Sequence, residues 1–421
     1  MPEDTTDLFW PGDHRAGDVF TDAALVVAMV RVEEVWLATL VAAGIAPPQA
    51  RHGLADLVDE ADLPGLARSA EGGGNPLIPL LSLLRERLRA DHPTTAEWLH
   101  RGLTSQDVVD TAVQLCARDA LDRLGTELKA QTDALAALAV RHERTVMAAR
   151  TLTQHAVPTS FGIKAAHWLS GVLDARSDLD RVFASMPAQL GGAAGTLSAV
   201  VEMAGRAGLD DPERTAMALV EQAAEDLGLA ARAPWHTSRA PVTRLADALV
   251  RCTDAWGHIA NDVLLLARPE IGELAEPARQ GRGGSSTMPQ KANPVLSVLI
   301  RRAALAAPQA AATLHLAAAE AVDERPDGAW HTEWATLRTL ARRTVVAGSQ
   351  TTELLSGLHV DTGRMERTAA SSASALLAEQ RSVAALYDAE ATDFDPLGYL
   401  GATGPIIDAV IDRARNPLED Q

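Results

Sequence analysis

The chain has 421 residues, 47% of them hydrophobic and only 4% aromatic, with a formal net charge of −18. That length exceeds one compact core and predicts two or three domains, and the apolar content excludes a disordered chain. The acidic balance disfavours a nucleic-acid binder, which needs a basic face, and abundant alanine with few aromatics favours packed helices over sheets.

The first ten residues, MPEDTTDLFW, are acidic and lack the apolar stretch of a secretory signal. Residues 20–43 read as a helix entered past Pro11, Gly12 and Gly17 and stopped by Gly44, Pro47 and Pro48. The sequence EGGGNP at 71–76 predicts a loop, followed by helices over 77–90 and 104–142. Leu245, Leu249, Cys252, Trp256, Ile259, Val263 and Leu266 recur at helical spacing, with Asp247, Arg251, Asp254, His258 and Asp262 opposite. That pattern predicts an amphipathic helix of about six turns. Residues 269–294 are rich in proline and glycine and show no helical period, so they read as a long loop of the kind that often serves function. Helices are expected again over 303–321 and 334–355. The run 303–319 is the most apolar, but Gln309 and His315 suit a protein interior better than a membrane. No stretch shows sustained strand alternation, so an all-α chain built on a bundle of long helices is expected. Cys116 and Cys252 are isolated, which argues against a disulfide framework or zinc site and suits a reducing cytoplasm.

Four polar clusters carry the chemistry. The loop GRGGSSTMPQKANP, 281–294, joins Gly281, Gly283 and Gly284 to Ser285, Ser286, Lys291 and Asn293. Its glycines let amide N–H groups converge on an anion, and a deprotonated serine is a strong base. Of 38 Lys and Arg residues only Lys129, Lys164 and Lys291 are lysines. A compact ammonium kept inside such a loop suits a site where negative charge develops. A flexible surface loop is the plain alternative, and the full string argues against it. In HRGLTSQDVVDT, 100–111, Thr104, Ser105, Gln106 and Asp107 sit at a helix start, which is either a capping box or an anion site. His100 just upstream favours a carboxylate-binding role. RTLTQHAVPTSFGIK, 150–164, crowds Thr151, Thr153, Gln154, His155, Thr159 and Ser160, with His155 as candidate general acid or base. PWHTSR, 234–239, offers His236 and Arg239, or merely a loop anchored by Trp235. His331 and Trp334 read as a structural helix start.

These clusters, in this order over nearly the whole chain, resemble the fumarase/aspartase superfamily, whose signature GSSxMPxKxNP is matched at 284–294. The strings TSQDVVDTA, QHAVPTSFGIKAAHWL, PWHTSR and GRGGSSTMP look most like its 3-carboxy-cis,cis-muconate cycloisomerase branch. The resemblance implies an all-α fold of three helical domains, placed at 1–103, 104–345 and 346–421. It implies a cytoplasmic homotetramer whose active sites draw on several subunits. It also implies cofactor-free, metal-free chemistry on a small polycarboxylate, with no membrane or nucleic-acid partner. Ser285 would take a proton beside a carboxylate, with Lys291 and Asn293 holding the charge that grows there. His155 would serve as the acid, and His100, Thr104 and Ser105 would bind carboxylates. Gln106, Thr153, Gln154, Ser286, Met288, His236 and Arg239 would complete the pocket.

Three departures qualify the match. Leu152 stands where fumarase and adenylosuccinate lyase carry histidine, so His155 is the nearest substitute. Gln290 and Ala292 stand where the cycloisomerase loop usually reads MPHKRNP, and Ser238, Arg239 and Ala240 replace its TxRD string. The expected activity is therefore cycloisomerisation or β-elimination. The alternative is a C–N lyase acting on a succinyl compound of the nitrosuccinate type, with adenylosuccinate or argininosuccinate further off. A non-catalytic helical oligomer is the reading from a different class.

Overall fold

The computed structural model describes residues 7–284, 287–288, 291–387 and 396–416. Helices dominate. In chain order they are α1 (Asp22–Ala42), α2 (Leu63–Gly73), α3 (Leu77–Leu88), α4 (Pro93–Trp98), α5 (Ser105–Arg141), α6 (Phe161–Ala184), α7 (Ser198–Arg206), α8 (Pro212–Leu227), α9 (Ala240–Leu266), α10 (Val295–Ala319), α11 (Gly328–Ser356), α12 (Thr362–Ser371), α13 (Ala373–Leu376), α14 (Ala378–Ala385) and α15 (Thr403–Arg415). Two small antiparallel pairs interrupt them: β1 (Val146–Thr151) with β2 (Gln154–Ser160), and β3 (Leu274–Ala275) with β4 (His359–Val360).

The helix starts obey local chemistry. The Thr21 hydroxyl accepts the Ala24 N–H at the head of α1, and Gly44 ends that turn at φ +73°. The loop expected at 71–76 is shorter than the sequence suggests. Helix α2 runs through the first glycines to Gly73, and Gly74, at φ +69°, stops it. Asn75 then turns the chain by accepting the Leu77 N–H. Every apolar position of the period that predicted α9, from Leu245 to Leu266, is buried.

The chain divides into two compact units. Unit 1 comprises 1–123, 179–249 and 309–343; unit 2 comprises 124–178, 250–308 and 344–421. Helices α5, α6, α9, α10 and α11 contribute residues to both. In unit 1, α1 packs on α8, and α3 packs on α2 and α4. Trp36, Leu37 and Leu40 of α1 and Leu77, Leu80 and Leu84 of α3 are fully buried. In unit 2, β1 lies against α12 and β2 against α13, with Ala148, Ala369 and Leu376 forming a small apolar cluster. Helix α10 is long and apolar enough to cross a bilayer. It nonetheless carries Arg301, Arg302 and Pro308, and its His315 lies 3.0 Å from the Asp247 carboxylate.

A buried amide locks the interior of unit 2. Gln131 accepts the indole N–H of the fully buried Trp256 at 2.7 Å and donates to the Gly348 carbonyl at 3.0 Å. Gln131→Leu should leave both partners unpaired and destabilise the fold by about 1–3 kcal/mol. Urea unfolding should show this as a lower midpoint at unchanged slope.

Candidate functional site

The helix-start cluster lies in unit 1 and is built on two acids of α5. Thr104 is the N-cap of α5, and its own N–H is accepted by Asp107 at 2.9 Å, one half of a capping box. The same carboxylate also accepts N–H groups of Gly191 and Gly192, each at 2.9 Å, and the Gln189 amide at 3.1 Å. His236 Nε2 lies 3.1 Å from the same Asp107 oxygen. Asp107 is wholly buried, so each partner is needed to replace lost water. Gln189 knits the set together. Its backbone exchanges hydrogen bonds with the Thr111 hydroxyl, and its side-chain oxygen accepts the Trp235 N–H at 2.6 Å.

One helical turn on, Asp110 receives both terminal nitrogens of Arg239 at 2.7 and 3.0 Å and the Trp330 indole at 2.8 Å. Arg239 also pairs with Glu333 and stacks over Trp235, 4.8 Å from the ring centre. Burial opposes the guanidinium charge, but Asp110 and Glu333 overcome it and hold Arg239 charged above its ordinary range. Burial pushes the Glu333 carboxyl up, and Arg239 pulls it only part of the way back. Gln106, wholly buried, donates to Asp110 and to the His236 carbonyl. Gln106, His236 and Arg239 are thus spent on one another, whereas Thr104 and Ser105 are only half-buried. The Thr104 hydroxyl accepts from Arg325. His100 pairs with Glu33.

The clusters at 150–164 and 281–294 lie in unit 2. The segment expected as a pocket wall is a β-hairpin, a departure from a purely helical reading. Leu152 and Thr153 form its two-residue turn at φ +49° and +69°, both in the left-handed region. Such turns are normally marked by Asn-Gly or Asp-Gly, and their absence concealed the hairpin. Thr153, Gln154 and His155 are exposed on it, and His155 Nδ1 meets the Ser372 hydroxyl at 2.7 Å. Arg150, opposite His155 and next to the pair that closes the turn, forms a two-pronged pair with the buried Glu273 at 2.7 and 2.9 Å.

The motif loop is anchored at both ends. Near its start Glu276 caps α10, accepting the N–H groups of Leu296 and Ser297. Asn293 donates its backbone N–H and its side-chain amide to the Gly283 carbonyl at 2.8 and 2.9 Å. Gly283 has φ +71°, and a Cβ there would lie 2.5 Å from the Asn293 oxygen, so this clasp requires glycine. Met288 and Lys291 are exposed, and the Lys291 N–H bonds the Met288 carbonyl. No group bonds the Lys291 ammonium among the described residues. Ser285, Ser286 and Gln290 lie outside the described residues.

Sequence reasoning passed over Gln189, Trp330, Glu333, Arg325 and Glu33, which carry no motif and come from distant segments. Trp330 and Glu333 were hidden in a plain helix start. Both cysteines are buried, with thiols pushed up to about 12 by burial first of all. Among the described residues no group of His, Cys, Asp and Glu gathers as a metal site would require.

The sequence profile described as "Lyase" matches residues 77–308. A nitrosuccinate lyase of Streptomyces davaonensis is 44% identical over 348 residues, 82% of this chain and 72% of that protein. A 3-carboxy-cis,cis-muconate cycloisomerase of Bradyrhizobium diazoefficiens is 41% identical over 307 residues, 72% of this chain and 65% of its own. Among solved structures, a 3-carboxy-cis,cis-muconate lactonizing enzyme from Pseudomonas putida superposes with a TM-score of 0.83 at 28% identity, covering 95% of this chain and 97% of the other.

Removing Arg239 would strand two buried acids. Arg239→Met should destabilise the protein by about 3–5 kcal/mol at neutral pH. Because the folded state raises the Glu333 carboxyl, it binds that proton more tightly than the unfolded chain does. The contribution of this group therefore favours folding at acid pH and fades as pH rises through the raised value. The deficit of the variant should shrink as pH falls into the carboxylate range, as measured by chemical denaturation at several pH values.

Proposed function

Because this chain belongs to the lyases of the fumarase/aspartase superfamily, we propose that it performs β-elimination on a small succinyl compound of the nitrosuccinate type. Ser285 takes the proton from the carbon beside one carboxylate. The electron pair of that C–H bond is held briefly on the carboxylate, then becomes the double bond of fumarate. The C–N bond on the neighbouring carbon breaks, and nitrite leaves with its electron pair.

The observation that carries this reading is the Gly283–Asn293 clasp. It joins Gly283 to Asn293, next to Lys291, whose ammonium is unpaired among the described residues. An uncommitted ammonium beside a growing carboxylate charge supplies the kind of stabilisation that dominates such reactions. His155 is the acid candidate, exposed on the hairpin with Nδ1 held by Ser372 and Nε2 without a partner among the described residues. The thin supply of cations favours a dicarboxylate over a tricarboxylate. Ala292 adds none, and the Arg239 guanidinium is already shared between Asp110 and Glu333. Assembly of four copies, each lending its clusters to shared sites in the cytoplasm, belongs to the same proposal. The fold similarity to the P. putida lactonizing enzyme favours a second reading, cycloisomerisation of 3-carboxymuconate.

Offered both compounds, the protein should release nitrite and fumarate from nitrosuccinate faster than it bleaches the conjugated absorbance of 3-carboxymuconate. The reverse order selects the second reading. Ser285→Ala should lower turnover by about 10²–10⁴-fold and Lys291→Ala by about 10²–10³-fold, both with unchanged circular dichroism. A folded Ser285→Ala protein with undiminished turnover removes the serine base.

A further inference from the structure

The turn that carries His100 is held by α1 in a way that the reaction scheme does not explain. Glu33 and Trp36 lie three residues apart on one face of α1. Trp36 donates its indole N–H to the Arg101 carbonyl at 2.7 Å, and Glu33 Oε1 lies 2.6 Å from His100 Nδ1. From α3, Arg85 donates to the Leu99 carbonyl at 3.1 Å. Behind the turn, Gly102 at φ +85° leaves so little room that a Cβ would come within 2.9 Å of Val200. Three consecutive residues, 99, 100 and 101, are each gripped by a different side chain. Held in this way, His100 sits at φ +67°, a region that residues other than glycine rarely adopt. A strained residue so over-determined by its surroundings points to function.

The chemistry of the pair is unusual. Glu33 is wholly buried, and its second oxygen, Oε2, has no hydrogen-bond partner among the described residues. An ionised Glu33 can only accept, and the contact at 2.6 Å then uses a proton on Nδ1. The His100 side chain keeps 16% of its exposure, and nothing bonds Nε2 among the described residues. Leaving a carboxylate oxygen buried and unpaired is unfavourable for a purely structural acid. A leucine at that position would fill the space without it.

We propose that Glu33 is a positioning residue for substrate binding: it fixes the ring orientation of His100 so that Nε2 faces a substrate carboxylate. Donation from Nε2 to that carboxylate uses a ring with a proton on each nitrogen, one directed at each carboxylate. The proposal rests on His100 being a substrate ligand, and the experiment separates the two ideas. KM and kcat would be measured for Glu33→Gln, His100→Ala and the double variant. The substrate would be nitrosuccinate, or 3-carboxymuconate if that is the compound turned over. Glu33→Gln should raise KM about tenfold while kcat stays within about twofold, and the double variant should be no worse than His100→Ala alone. Nitrogen NMR of the labelled imidazole with substrate bound should show both nitrogens protonated in the wild type and a single protonated nitrogen in the variant. If Glu33→Gln and His100→Ala act additively on KM, or if Glu33→Gln lowers only the melting temperature, Glu33 is structural and the proposal fails. If His100→Ala leaves KM unchanged, the assignment of His100 falls, and the role of Glu33 falls with it. Should Glu33→Gln not fold, Glu33→Asp reads the same coupling, because its shorter side chain gives up the 2.6 Å contact while keeping the charge.

Discussion

Two buried carboxylates on one face of α5, Asp107 and Asp110, are the constraint from which the order of unit 1 follows. An acceptor removed from water must find donors or lose several kcal/mol. Asp107 finds them in Thr104, Gln189, Gly191, Gly192 and His236. Asp110 finds them in Gln106, Arg239 and Trp330. These donors come from segments more than a hundred residues apart along the chain, so satisfying two side chains closes the unit around the start of α5. The result is a rigid helix N-terminus whose outermost hydroxyl, that of Thr104, still sits near the surface. Arg239 adds a second level of constraint: one cation serves two acids, Asp110 and Glu333, so neither acid can be moved without stranding the other.

Unit 2 solves a different problem, that of holding irregular backbone in place. The motif loop and the hairpin both need conformations that helices do not supply. The loop is fixed by the Asn293–Gly283 clasp and by Glu276 at the head of α10. The hairpin is fixed near its turn by the Arg150–Glu273 pair and along its length by the helices packed on its strands. In both cases charged or amide side chains hold irregular backbone close to the residues assigned to chemistry. Those residues, Lys291 in one and His155 in the other, are exposed. That arrangement suits a site in which reacting groups need freedom to approach a ligand while their supports stay rigid.

Much of this could be read directly from residue order. The α9 period was legible because apolar burial on one helical face leaves a regular trace. The start of α5 was legible because capping is local: Thr104 and Asp107 signal it wherever they stand. The candidate site was legible only where its residues cluster. The hairpin was not, since Leu152 and Thr153 adopt a turn for which neither has any intrinsic preference, and the surrounding packing overrides that. Glu33, Gln189, Trp330 and Glu333 were not, because each matters through a partner far away in sequence and looks like an ordinary helix or loop residue in its own neighbourhood.

By itself the sequence determined the helical architecture, the superfamily and the set of groups available for chemistry, since local propensity, apolar period and contiguous motif are all carried by neighbouring residues. Only the tertiary structure decided how those groups are employed. Folding committed the charge of Arg239 and Nε2 of His236 to a buried network, left the Lys291 ammonium uncommitted among the described residues, and set a buried glutamate behind His100. The physical reason is that desolvation acts on three-dimensional neighbours: whether a polar side chain is a support or a reagent depends on which donors and acceptors surround it once water has gone.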